Sequence, residues 1–172
     1  MAVELTLGMI KPDAVQKGHQ WHILADIASS GLKPVAVKMT RMSKEQAKVF
    51  YIVHKDRPFY DGLTNFMSSG PIVAMVLEGE SAIQRYREIM GATDVKKAAP
   101  GTLRAKFGES IERNAVHGSD APETARREIS FFFTIHELTP LGVIIDEGPK
   151  AAKPPEKPPE KPADKPADKP AK

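Results

Sequence analysis

The chain has 172 residues, no cysteine, and 25 Lys and Arg against 22 Asp and Glu, for a net charge of +3. That length suits one domain with a sizeable core, and the lack of cysteine excludes disulfides and thiolate chemistry. Beyond residue 149, seven lysines against four acids carry the whole +3, so the pI of ≈ 9.0 belongs to the C-terminus and residues 1 to 149, neutral overall, lack the basic field of a specific nucleic-acid binder.

The N-terminus shows no basic leader followed by an apolar stretch, and no run approaches the roughly 20 apolar residues of a membrane span. The sequence reads as that of a cytoplasmic protein without a membrane partner.

In chain order, Val3, Leu5, Leu7 and Met9 alternate with Glu4, Thr6 and Gly8, predicting a strand with one buried face that Pro12 ends and Lys11 exits. Trp21, Leu24, Ala25 and Ala28 predict the inward stripe of a helix over 20–30, with Gly31 at its C-terminus. Val35, Val37 and Met39 make a second strand. Ser43 with Gln46 is a capping box opening a helix that carries Ala47, Phe50, Tyr51 and His54, and Arg57-Pro58 breaks it. A shorter helix with Leu63, Phe66 and Met67 precedes the turn at Ser69-Gly70-Pro71. Ile72 to Leu77, apolar throughout, suits a central strand, and Ser81 to Met90 a helix presenting Ile83, Tyr86, Ile89 and Met90 inward before Gly91. Residues 92–100 read as loop, Leu103 to Phe107 as a helical turn, 121–129 as a helix, and the run Ile129 to Ile135 as the fourth strand.

Leaving the insertions aside, the order is βαββαβ. It predicts an α+β, ferredoxin-like fold: a four-stranded antiparallel sheet with helices on one face, the other face being covered by loops or a second subunit. The domain is expected over 1–140 and a Lys/Pro-rich disordered tail over 141–172. From Lys153 that tail repeats Lys-Pro-Pro-Glu and Lys-Pro-Ala-Asp with nothing larger than Ala or Pro to bury. It is expected to be a solvated, polyproline II biased extension, with docking to an unknown Pro-reading partner as the sharper alternative.

Chemistry concentrates in Asn114-Ala-Val-His117-Gly-Ser-Asp120. A neutral imidazole, with an ordinary pKa of about 6.5, has a lone pair that can attack phosphorus without a separate base. Gly118 leaves room beside that ring for a bulky ligand, and Ser119 and Asp120 suit the turn and N-cap of the helix announced by Pro122 and Glu123. Neither glycine-rich phosphate cradle is present, so any triphosphate must be gripped by side chains, for which Lys11, Arg87 and Arg104 are the candidates. Ser119 lacks a nucleophile-elbow context, and the five histidines show no zinc-ligand spacing, so no metal ligands are assigned.

The stretch around His117 resembles the active-site signature of the nucleoside diphosphate kinases. Ile10 to Val15, His54 to Phe59, Leu77 to Glu80, Met90 to Thr93 and Gly101 to Arg104 also resemble that family's blocks, in its order and at about its spacing. The resemblance covers roughly Glu4 to Leu138. It implies that His117 takes the γ-phosphoryl of a nucleoside triphosphate and passes it to a nucleoside diphosphate in ping-pong fashion, which balances the pools of CTP, GTP, UTP and the deoxynucleotides. It further implies that Glu128 orients His117, and that Lys11, Tyr51, Arg87, Thr93, Arg104 and Asn114 contact phosphates or sugar, Lys11 counting also among the catalytic groups. Phe59 would stack on the base, Mg²⁺ would arrive with the nucleotide phosphates, and the chain would assemble as a homotetramer or homohexamer. Trp21-His22 stand where the family commonly has Gly-Glu, and Asp26-Ile27-Ala28 where it has Arg-Phe-Glu, in a region that contributes to subunit contacts. Two other classes compete with this enzyme. A non-catalytic nucleotide or RNA module is opposed by the neutral domain and by the lack of an RNA-binding strand motif. A scaffold acting through its tail is opposed by the full set of matched site residues.

Overall fold

The computed structural model describes residues 3–145; the tail from residue 146 onward lies outside the described residues. Four strands, β1 (Val3–Ile10), β2 (Lys33–Thr40), β3 (Ile72–Glu80) and β4 (Val116–Gly118), form one antiparallel sheet in the order β2-β3-β1-β4. This is the ferredoxin-like plan. β1 and β3 are the central pair, and both faces of β1 are buried from Thr6 onward; the alternation of Val3 to Met9 had suggested one buried face only.

Helices α1 (Pro12–Gln16), α2 (Gln20–Ser29), α3 (Lys44–Phe50), α4 (Tyr60–Met67), α5 (Ala82–Met90), α6 (Leu103–Phe107), α7 (Pro122–Phe132) and α8 (Ile135–Leu138) fill the connections. Helix α1 was not anticipated: Pro12 ends the strand by opening this helix at its first position. The stripe expected on α2 is also displaced. Ile23 and Ile27, one turn apart, are fully buried against the sheet, while Trp21 is 67% exposed. Fully burying an isoleucine is worth about 1.5–3 kcal/mol, so this pair sets the face. The capping box at Ser43 and Gln46 forms as the sequence implies.

One face of the sheet packs Val73, Met75 and Leu77 against Ile23, Ile27 and Tyr86 of α2 and α5. The other packs Leu7, Met9, Ala74 and Val76 against Phe50 of α3, Met67 of α4 and Ile129 of α7. The insertions themselves therefore cover the second face. Leu138 and Val143 are buried in the same cluster, so packing continues past the domain boundary expected at residue 140.

The fourth strand is not Ile129 to Ile135. Residues 129–132 continue α7, because Ile129 and Ala125, four apart, share its buried face, and Phe133 caps it. The strand is instead the three residues around His117, created by pairing with β1: Met9 opposite His117 and Gly8 opposite Gly118.

Candidate active site

Three chain segments meet where β1 ends. Lys11 leaves the strand as N-cap of α1, Asn114 and His117 flank the start of β4, and Arg104 lies in α6. A cleft of ≈ 850 Å³ opens above them, and all nine residues singled out from the sequence line it: Lys11, Tyr51, Phe59, Arg87, Thr93, Arg104, Asn114, His117 and Glu128. They come from α5, α6, α7, β4 and four connections between elements, so only the fold brings them together.

His117 stands edge-on to Phe50 and Tyr51, with ring centroids 5.5 and 5.8 Å away. Its Nε2 is 3.0 Å from Oε2 of the buried Glu128, and the same oxygen accepts the Ser119 hydroxyl at 2.8 Å. A carboxylate only accepts, so Nε2 carries the proton and Nδ1 keeps its lone pair. Ser119 thus has a role that its turn context did not disclose. It does not cap α7, whose N-cap is Ala121 with Pro122 following.

The cations are embedded differently. Lys11 is buried and donates to Asn114 Oδ1 at 2.6 Å. Burial pulls its pKa down to about 8, Arg104 acts in the same direction, and Asp13 opposes both. Arg104 donates to the carbonyls of Gly91 at 2.9 Å and Val116 at 3.1 Å and reaches Thr93 Oγ1 at 3.4 Å. Burial lowers its pKa, though a guanidinium keeps its charge. Arg87, exposed on α5, completes the set. Asn114 is fixed by donating to Ile111 O at 2.9 Å and Thr93 O at 3.3 Å.

Two buried donors on residues that line this cleft lack a protein partner: the Tyr51 hydroxyl and Arg104 Nε. Burial, and then Glu128, push the Tyr51 pKa upward, so it stays a hydroxyl. A buried unsatisfied donor costs about 1–3 kcal/mol. Tyr51 is accordingly buried in the core and part of the cleft wall at once, whereas Phe59 is 51% exposed at the mouth.

Gly118 differs from expectation. A Cβ there would meet the Tyr86 ring at 2.7 Å and Met90 at 2.8 Å, so the space is taken by the core and not by a ligand. Ile111, an exposed aliphatic in the same wall as Phe59, was missed, since an isolated apolar loop residue carries no periodic signal.

The profile of the family described as nucleoside diphosphate kinase matches residues 4–138. Nucleoside diphosphate kinase 1 of Protochlamydia amoebophila is 60% identical over 139 residues, 81% of this chain and 99% of that protein. The nucleoside diphosphate kinase of Halorhodospira halophila is 59% identical over 80% of this chain and 98% of its own length. Among solved structures, the Aquifex aeolicus nucleoside diphosphate kinase superposes with a TM-score of 0.77 at 50% identity, covering 79% of this chain and 99% of that one. A Halobacterium salinarum nucleoside diphosphate kinase in complex with CDP gives 0.76 at 43% identity, covering 79% of this chain and 91% of that one. The chain belongs to the nucleoside diphosphate kinase family.

Proposed function

We propose that this chain moves the γ-phosphoryl group of a nucleoside triphosphate, typically ATP, onto Nδ1 of His117 and then onto a second nucleoside diphosphate. The observation that carries the reading is the ring of His117, held at Nε2 by Glu128 inside a cleft walled by Lys11, Arg87 and Arg104. In the first half-reaction an Nδ1–phosphorus bond forms as the bond from γ-phosphorus to the bridging oxygen breaks, and the diphosphate departs. The second half-reaction reverses this with the acceptor. Donor and acceptor are chemically alike, so one clamp serves both and no general base has to meet a hydroxyl.

Glu128 stabilises the positive charge that the ring acquires as its lone pair is given up. Lys11 and Arg104, both in the cleft wall, face the charge spread over the transferring group. Asn114 and Lys11, hydrogen-bonded to each other, lie nearest the sugar. Phe59 at the mouth offers a face on which any base can stack, which makes base identity unimportant.

Among the described residues no group of three or more His, Cys, Asp or Glu is placed to hold a metal. The clamp's donors are cations and hydroxyls, a set that fits a Mg²⁺ carried in on the nucleotide phosphates and its own waters. Bound so, the ion neutralises phosphate charge. Placement in the cytoplasm and assembly from dimers into tetramers or hexamers belong to the same reading. No helix among the described residues is long and apolar enough to cross a membrane.

The test is a single half-reaction with no acceptor present. Stoichiometric protein mixed with ATP and Mg²⁺, and no nucleoside diphosphate, should release about one equivalent of ADP in a burst and keep the γ-phosphoryl, because the first half-reaction is complete in itself. ADP release that waits for an added diphosphate would show a sequential mechanism and remove His117 as carrier.

A further inference from the structure

One buried carboxylate beside the cleft has no part in the chemistry above. Asp13, in the first turn of α1, is 4% exposed. Its Oδ2 accepts the Ala115 N–H at 3.0 Å, and its Oδ1 is buried without a partner. Ala115 has φ +64°, one of two non-glycine residues in the left-handed region among the described residues. The Val116 N–H donates back to Asn114 O at 2.7 Å, so the chain closes a three-residue turn about Ala115, a form that is rare and strained for an L-residue. Strained backbone persists only where its surroundings over-determine it. Here both peptide groups of Ala115 are held by one short segment: Asp13 takes its N–H, and the Lys11 N–H donates to its C=O at 2.8 Å.

The turn separates two working side chains. On one side is Asn114, bonded to Lys11 Nζ, and on the other Val116 and His117 enter β4. Neither could keep its aim if the turn relaxed to ordinary φ, because the chain direction into β4 would change.

We infer that Asp13 is a positioning residue for phosphoryl transfer, its carboxylate holding the strained turn at Ala115 and thereby the Asn114 amide and the His117 ring in working register. Asp13 also favours the charged form of Lys11, against burial and Arg104. The other titratable groups lining the cleft with Lys11 are Tyr51, His54, Arg87, Arg104, Glu112, His117, Asp120, Glu123, Arg127 and Glu128, and none of them is replaced when Asp13 alone is changed. The inference rests on His117 being the phosphate carrier.

The experiment compares the wild type with Asp13→Ala, Asp13→Asn and the double variant Asp13→Ala/Ala115→Gly, reading kcat, KM and the pH profile of kcat/KM. Asp13→Ala should lose kcat by about tenfold to hundredfold, as supporting residues of an active site do. Adding Ala115→Gly should restore most of it, since glycine adopts φ +64° without strain. Asp13→Asn keeps an acceptor for the Ala115 N–H, so kcat should hold within severalfold while the alkaline limb of kcat/KM moves to lower pH. If Asp13→Ala keeps full kcat, if glycine at 115 restores nothing, or if the limb of Asp13→Asn does not move, the assignment is wrong. Should Asp13→Ala not fold, the pH comparison of Asp13→Asn with wild type decides. Wild type that forms no phosphohistidine overturns the underlying function instead, which keeps the two failures apart.

Discussion

Nε2 of His117 and Oε2 of Glu128 are 3.0 Å apart, joining the strand that bears the ring to the middle of α7. Because that oxygen also takes the Ser119 hydroxyl, Glu128→Ala leaves two donors unpartnered and frees the ring to turn. Phosphoenzyme formation in a single turnover should slow by about tenfold to hundredfold. Glu128→Gln, which still accepts a hydrogen bond but carries no charge, should fall between Glu128→Ala and wild type. Equal rates for all three would detach Glu128 from the chemistry.

Lys11 gives a pH dependence with a definite sign. Its pKa is lowered from 10.5 to about 8 in the folded chain. The ammonium that the proposed reaction sets against phosphate is therefore lost as pH rises through about 8, and kcat/KM, which reports the free enzyme, should fall there. Stability responds the other way. Between about pH 8 and 10.5 the unfolded chain binds the proton and the folded chain does not, so the Lys11 contribution to stability increases with pH across that window. Lys11→Arg should push the limb out of the accessible range. A wild-type kcat/KM that stays flat from pH 7 to 10 would contradict this.

In the proposed reaction Arg104 has a reactive duty beside a structural one. Its two carbonyl contacts tie Gly91 and Val116 together. Arg104→Ala should reduce kcat by about 10²–10³-fold and, by orphaning those carbonyls, cost about 1–3 kcal/mol in urea unfolding. A near-normal kcat with lowered stability would leave it only the structural duty.

The Gly118 position tests how β4 is seated. With a Cβ 2.7 Å from the Tyr86 ring, Gly118→Ala should destabilise by about 1–3 kcal/mol and disturb His117 next to it. Tyr86→Phe removes a buried hydroxyl that has no partner, and it should be neutral or slightly stabilising in thermal unfolding. Gly118→Ala with wild-type stability would mean that the ring yields easily.

The sequence announced most elements through short-range signals: the capping box at Ser43 and Gln46, the apolar run of β3, and Gly31 and Gly91 with positive φ after their helices. It misplaced β4 because Val116-His117-Gly118 is too short to show a period and exists only by pairing with β1. The run at Ile129 to Ile135 has the length and aromatic content of a strand, and only the buried face shared by Ala125, Glu128 and Ile129 makes its first half helical. The nine candidate site residues stand out in the sequence as residue types and family blocks, and the structure gathers them into one cleft. What it could not disclose was contact across long separations: Asp13 with Ala115, and Tyr86 beneath Gly118.

The central claim is that one ring nitrogen carries the phosphate. Protein incubated with γ-labelled ATP and Mg²⁺, then freed of nucleotide, should hold an acid-labile label that maps to His117. GDP or CDP should remove it as labelled GTP or CTP, and His117→Ala should take up none. Label on another residue, or full transfer activity in His117→Ala, would contradict the account.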